Sequence, residues 1–238
     1  PTTDAAFARA AALAAQSSAL LGEQDKQTLA KVRGNTDTSL SAPALLMLPA
    51  AQRARVLRHW VAGLGWPPLP AQGVARIDVD LLGVGTERPA RDRMPSFAWH
   101  DAEIRRWRDD LYAIETGCEL DTAWCCHWDG CAPLALPNGD RLQLAGASGF
   151  PTPLLVHARR GGERILLSNR GEHHHALKHV LQEQGIPPWE RERMPLISTA
   201  DNGILLAVAD RIRSAGFEHW LQSQGAQLLW TRRPAPVG

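Results

Sequence analysis

The sequence lacks long apolar runs, because no stretch approaches the roughly 18 consecutive apolar residues that a membrane-spanning helix needs. The apolar segment from Phe7 to Ala15 is interrupted by Arg9 and followed by a polar stretch, which argues against a signal peptide. We therefore expect no membrane partner. Without a secretory signal, we also expect a cytoplasmic location in which the cysteines stay reduced.

An excess of charge of one sign is also missing, since 26 Lys and Arg residues stand against 25 Asp and Glu residues. A global basic field therefore gives no argument for a nucleic-acid partner. The distribution is uneven, however. Residues 1–140 contain 14 basic and 17 acidic side chains, whereas residues 141–238 contain 12 and 8, together with six of the nine histidines. This asymmetry favours an anionic ligand on the C-terminal part.

Cysteine is scarce, and the four residues lie close together at Cys118, Cys125, Cys126 and Cys131. With His127 they could form a zinc site, but the spacing lacks the CxxC pair that places two thiolates on one metal ion. His175 and His179, four residues apart, have no carboxylate or Cys ligand nearby in sequence. We predict free thiols and no metal site.

The common catalytic motifs are absent as well: the sequence contains no GxSxG, HExxH, Walker loop or GxGxxG. Gly161 and Gly162 are too short a glycine run for a phosphate-binding loop. We predict no catalytic residue in this chain.

The first part of the sequence has helical periodicity. One long helix is predicted from Thr3 to about Arg33, with Phe7 and Leu21 on its apolar stripe. A second helix begins after Pro49 and ends at Gly63 and Gly65, with Arg53 near the solvent, and a third segment covers Ala71 to Leu82. We assign residues 1–100 to a small all-helical domain.

The second part is predicted to be a mixed α+β domain over residues 101–238, with the boundary placed between residues 88 and 137. Its short strands are 103–107, 111–115, 141–145, 154–160, 195–199, 204–210 and 227–231. One main helix, from His173 to Gln184, interrupts them and ends at Gly185. The fold class is α+β.

Basic residues cluster around the predicted start of that helix. Arginines from a strand and loop would meet the helix N-terminus, whose free N–H groups favour an anion. The candidate phosphate-binding residues are Arg159, Arg160, Arg164, Arg170, His174 and Lys178. Arg191 is a further candidate, although it could instead pair with Glu190 or Glu192, as could Arg193. The alternative is a solvated helix face with an accidental histidine run.

Several segments resemble bacterial tRNA(Ile)-lysidine synthetase. Those similar to its C-terminal domain are RGGER (160–164), HALKHVLQE (175–183), GIPPWER (185–191) and PLI (195–197). Those similar to its middle, substrate-binding domain are RARVLRHWVAG (53–63) and EIRRW (103–107). The resemblance covers nearly the whole chain in the same order.

The resemblance implies that the intact enzyme uses ATP and Mg to adenylate the wobble cytidine in the CAU anticodon of tRNA(Ile) and then replaces AMP with lysine. The two domains in this chain would bind and position tRNA(Ile), with Arg55, Arg58, Arg105 and Arg106 as secondary contacts. The family's SGGxDS loop does not occur here. We therefore expect a chain that lacks the N-terminal ATP-pyrophosphatase domain, requires it as a partner, holds no cofactor and is inactive alone. A homodimer is compatible with the resemblance.

Two other classes of function remain open at this point. One is a protein-interaction or dimerisation module that uses the long helix and an exposed sheet edge. The other is a small metalloenzyme that uses the Cys and His residues.

Overall fold

The chain folds into two compact units, the first ending at Thr116 and the second beginning at Gly117. The computed structural model describes residues 2–36, 38–85, 94–167 and 173–233, with side chains from residue 6 onward. Helices and strands occur in both units, so the predicted α+β class is confirmed. No helix within the described ranges is long and apolar enough to cross a membrane.

The first unit has helices at its three predicted positions and, between the first two, a short helix that the sequence did not predict. They are α1 (Thr2–Lys31), α2 (Ala42–Leu46), α3 (Ala50–Gly63) and α4 (Gly73–Arg76), which continues into a π-helical turn at Ile77–Leu81. Ser41 begins α2 by accepting a hydrogen bond from the Ala44 N–H. Pro49 lies directly before α3, at the helix start, where a backbone N–H would form no hydrogen bond within the helix, so a proline is tolerated there. The apolar stripe predicted on α1 is exposed at Phe7 (71%) and Leu21 (42%), whereas Leu29 near its C-terminus is buried.

The first unit also contains a four-stranded antiparallel sheet, whereas an all-helical domain was predicted for residues 1–100. Its strands are β1 (Ser39–Ser41), β2 (Ser96–Trp99), β3 (Ala102–Trp107) and β4 (Asp110–Glu115), in the order β1-β4-β3-β2. The β3–β4 hairpin lies in this unit because β4 pairs with β1, with Leu40 opposite Leu111. Local periodicity does not show this pairing, since the two strands are about 70 residues apart in the sequence.

Arg53 lies in the core of the first unit, so its predicted solvent position is wrong. Only 5% of the residue is exposed. Its Nε donates to Asp78 Oδ1 at 2.7 Å, and its Nη1 donates to the Leu48 carbonyl at 3.0 Å. A buried arginine is tolerated where a carboxylate and carbonyl oxygens satisfy its donors. This arrangement ties α3 to the π-helical turn.

The described part of the second unit contains ten short strands. They are β5 (Cys125–Trp128), β6 (Leu134–Ala135), β7 (Arg141–Ala145), β8 (Leu154–His157), β9 (Arg164–Leu166), β10 (His174–Ala176), β11 (Leu196–Thr199), β12 (Leu205–Val208), β13 (Ile212–Arg213) and β14 (Gln227–Thr231). Seven of them form one sheet in the order β10-β9-β12-β11-β8-β5, with β13 paired to β12. The other three form an antiparallel sheet in the order β14-β7-β6.

Three helices occur in the described part of the second unit, so the expectation of one main helix is wrong. They are α5 (Leu177–Glu183), α6 (Pro188–Arg193) and α7 (Ala215–Gln224). The side chain of Ser214 accepts the Phe217 N–H at the start of α7, and Gly225 ends it in the left-handed conformation, with φ of 61°. Trp189 of α6 is buried. Leu177, Val180 and Leu181 bury the apolar face of α5 in the core.

Candidate nucleic-acid interface

The loop between β8 and β9 holds two of the candidate arginines. Gly161 and Gly162 both have positive φ, 91° and 84°, which allows the sharp reversal before β9. The Glu163 carboxylate accepts the backbone N–H groups of Arg160 at 2.6 Å and Gly161 at 2.7 Å. The Glu163 side chain thus fixes the backbone of the loop in which it lies.

Arg159 and Arg160 have different environments within this loop. The Arg159 side chain is mostly buried, and its Nε lies 3.6 Å from Glu163 Oε2. Arg160 is exposed, and its Nε donates to the Thr122 carbonyl at 3.0 Å. Arg159 therefore acts as a brace of the loop, whereas Arg160 presents charge to the solvent.

The histidine run lies on a strand, so its predicted place on a helix face is wrong. His174 and His175 belong to β10, where His175 pairs with Ile165 of β9. Helix α5 begins only at Leu177, whose N–H donates to the Glu163 carbonyl at 2.8 Å. Pairing with β9 therefore overrides the helical continuation that the sequence pattern predicted.

Strands β9 and β10 and the segments next to them carry four exposed basic residues. Arg164 Nη2 donates to the His174 carbonyl at 2.5 Å, and Arg164 pairs in register with Ala176, two residues before Lys178. Both His174 and Lys178 are exposed. We call Arg160, Arg164, His174 and Lys178 the basic patch. Arg170 lies outside the described residues.

Arg191 and Arg193 have structural partners that the sequence did not indicate. Arg191 Nε donates to the Ile186 carbonyl at 2.7 Å, which closes the turn between α5 and α6. Arg193 is bound by both oxygens of Asp140, with Nε 2.8 Å from Oδ2. Its suggested pairing with Glu190 or Glu192 is therefore wrong, and Glu190 instead binds Arg232. Asp140 and Arg193 are 53 residues apart, so no local spacing signals this pair.

The secondary candidates in the first unit are mostly engaged with that unit. Arg55 pairs with Asp25 at 3.1 Å, and Arg105 pairs with Glu103 at 2.8 Å. Arg106 Nη1 donates to the Leu81 carbonyl at 2.9 Å. Arg58 is exposed and contacts only a carbonyl of its own helix among the described residues, at 3.4 Å. Of these four arginines, Arg58 is therefore best placed to meet an external anion.

The cysteines are free thiols, with Cys118 buried and Cys125 and Cys131 exposed. A hydrogen bond with Asp129 raises the pKa of the Cys131 thiol, which disfavours the thiolate that binds metals. No group of three or more His, Cys, Asp or Glu residues within the described ranges is arranged to hold a metal ion.

Comparison with known proteins matches a segment of each unit to a domain model of the same family. Residues 40–112 match the family described as TilS substrate binding domain, and residues 154–230 match the TilS substrate C-terminal domain. Both matches follow the order expected from the sequence. The chain belongs to the tRNA(Ile)-lysidine synthase family, of which it contains these two domains.

Curated relatives agree with this assignment. The tRNA(Ile)-lysidine synthase of Xanthomonas axonopodis pv. citri is 44% identical over 232 residues, covering 97% of this chain and 51% of the relative. That of Xylella fastidiosa (strain Temecula1) is 44% identical over 236 residues, with 97% and 52% covered. The chain spans about half the length of the curated relatives it matches.

A solved structure also matches part of this chain. A crystal structure of the TILS C-terminal domain is 26% identical and covers 46% of this chain and 98% of its own, with a TM-score of 0.35.

Proposed function

We propose that this chain is the tRNA-recognition part of a tRNA(Ile)-lysidine synthase. It would position tRNA(Ile) with a CAU anticodon for the ATP-dependent conversion of the wobble cytidine to lysidine. The observation that carries the proposal is the basic patch, which lies inside the segment that matches the TilS substrate C-terminal domain.

The patch suits an RNA backbone because three of its four side chains carry full positive charges at neutral pH. A-form RNA is bound largely through phosphates, 2′-hydroxyl groups and shape, and each neutralised phosphate releases counterions. Arg164 uses one donor on the His174 carbonyl, and Arg160 uses one on Thr122. A guanidinium has five N–H donors, so both side chains are oriented and keep donors for phosphate oxygens.

The chemical step is proposed to lie outside this chain. Adenylation needs backbone N–H donors and a metal ion held against the triphosphate, and the sequence contains no phosphate-binding loop. We propose that the half of the longer relatives that this chain does not match supplies the ATP and Mg site. The contribution of this chain is then affinity and orientation.

The test is the triple variant Arg160→Ala, Arg164→Ala and Lys178→Ala, assayed for tRNA binding at several salt concentrations. We expect weaker binding to all tRNAs and a log–log salt slope that is flatter by about one to two units. The matched control replaces Lys26, Lys31 and Arg76, which are exposed on the first unit, and removes the same net charge.

A patch variant that binds tRNA as tightly as the control variant would exclude the basic patch as the interface. If the unaltered chain does not bind tRNA at low salt, the proposed function itself fails.

A further inference from the structure

The turn between β3 and β4 has a backbone conformation that its sequence does not favour. The turn consists of Arg108 and Asp109, since Trp107 pairs directly with Asp110. Of the two turn residues only Arg108 has a positive φ, of 56°. A two-residue hairpin turn with positive φ at its first residue alone normally has glycine at that position. The arginine therefore strains the backbone, and strain of this kind is concentrated where a residue contacts a ligand.

Hydrogen bonds within the first unit hold this strained turn from both sides. Arg106 Nε donates to the Arg108 carbonyl at 3.3 Å, and the Asp109 carbonyl accepts the Ala42 N–H at 2.8 Å. Arg106 is itself fixed by its Nη1, which donates to the Leu81 carbonyl at 2.9 Å. The backbone of Arg108 is therefore in place before any ligand binds.

The side chain of Arg108 is exposed and lies over an aromatic ring. Its guanidinium carbon is 4.4 Å from the centroid of the Trp107 ring. The Trp107 ring is half-buried and meets Tyr112 edge to face, with the two centroids 6.0 Å apart, so the surface beneath the guanidinium is fixed. The aromatic ring attracts the cation without neutralising its charge. The guanidinium forms no hydrogen bond or ion pair with a residue in the described ranges.

The charges around the turn favour an anion over a cation. The Asp110 carboxylate is buried and accepts the Asn35 backbone N–H at 3.1 Å and its Nδ2 at 2.7 Å. Asp109 is the one exposed carboxylate among the described residues at this end of the hairpin. Arg106 and Arg108 stand against it, and neither pairs with a carboxylate in the part of the chain that the structure describes.

We infer that Arg108 binds a phosphate of the tRNA backbone, an inference that rests on the proposed function and extends it to a contact in the first unit. The turn lies within residues 40–112, which match the TilS substrate binding domain. A guanidinium binds a phosphate through two parallel hydrogen bonds, a geometry that the ammonium group of lysine does not reproduce. Arg108 supplies a guanidinium that is exposed, unpaired among the described residues and already positioned by Trp107.

The test is Arg108→Gly in the full chain, because glycine removes the guanidinium and also relieves the strained φ. The variant should be at least as stable as the unaltered chain in urea unfolding. It should bind tRNA about tenfold more weakly, as expected when a charged group loses its hydrogen bonds. Its log–log salt slope should be flatter by about one unit. The matched control is Arg76→Ala, which removes an exposed arginine of the same unit outside the turn and should leave the affinity unchanged.

A second variant, Arg108→Lys, tests the two-point contact and covers the case in which Arg108→Gly does not fold. Lysine keeps the positive charge, so the salt slope should stay near that of the unaltered chain. The affinity for tRNA should still fall severalfold, because one ammonium group cannot form the parallel pair of hydrogen bonds. Binding by Arg108→Lys as tight as that of the unaltered chain would overturn the inference.

The inference also fails if Arg108→Gly and Arg76→Ala bind tRNA equally well, or if both weaken binding to the same extent, which would indicate a general effect of charge. These results are separable from the proposed function. A chain that binds tRNA, loses affinity in the basic-patch variant and is unaffected at Arg108 disproves only the contact at the turn.

Discussion

Replacing Asp140 by Ala should destabilise the second unit severely, because Asp140 is the acceptor for a buried arginine. The Asp140 side chain is fully buried, and that of Arg193 is 13% exposed. Asp140 also accepts the Arg233 N–H at 2.9 Å and the Asn138 amide at 3.3 Å. Breaking a buried ion pair from one side leaves an uncompensated charge and costs about 3–5 kcal/mol. Asp140 thus joins the start of β7, the end of α6 and the segment after β14.

The matched control is Glu190→Ala, which removes a more exposed arginine–carboxylate pair of the same unit. Its partner Arg232 is 40% exposed in the side chain, and exposed pairs contribute about 0–1 kcal/mol. Urea unfolding followed by amide hydrogen exchange of residues after Gly117 gives the free energy of unfolding of this unit. The double variant Asp140→Leu and Arg193→Met should be less destabilised than Asp140→Ala, since it leaves no buried charge. A cost for Asp140→Ala no larger than that for Glu190→Ala would refute this account.

Three further predictions concern acid stability, catalysis and metal content. Burial raises the pKa of Glu103, but hydrogen bonds from Arg105 and Ser96 and the charge of Arg105 outweigh burial and hold this pKa below its ordinary value of 4.5. The free energy of unfolding should therefore fall as the pH drops below about 4.5. Glu103→Gln should make the free energy of unfolding depend less on pH in this acid range. With ATP, lysine and tRNA supplied, the chain alone should release no pyrophosphate and form no lysidine, and pyrophosphate release abolished by a point substitution in this chain would contradict this. Elemental analysis of untagged protein should find far less than one zinc per chain, and a stoichiometric amount would revive the metalloenzyme hypothesis.

The elements predicted well from sequence are those with local signals. Helix α3 begins after Pro49 and ends at Gly63, and β11 and β12 lie within the predicted strands 195–199 and 204–210. Helix α7 was missed although its signals are local too: Ser214 caps its start and Gly225 ends it.

The features that could not be predicted depend on partners distant in sequence. His174 is extended because β9 offers a strand to pair with, and Arg53 is buried because Asp78 meets it from 25 residues away. The basic patch was anticipated in composition, but its geometry was not. Arg159 pairs with Glu163, and Arg191 donates a hydrogen bond to the Ile186 carbonyl. Neither interaction can be recognised in the sequence, so the sequence does not separate arginines that stabilise the fold from arginines that are available to a ligand.

The hydrogen bonds of Glu163 have a consequence for how an RNA would meet the basic patch. Two successive backbone N–H groups that converge on one carboxylate form an anion-binding concavity, and here the protein's own side chain fills it. The loop is therefore ordered before any ligand arrives, and RNA binding does not bear the entropic cost of ordering it. In the proposed function, the filled concavity would keep an incoming phosphate out of the loop interior and leave it to the side chains of Arg160 and Arg164. The Glu163 carboxylate would thus set how closely an RNA backbone could approach the loop.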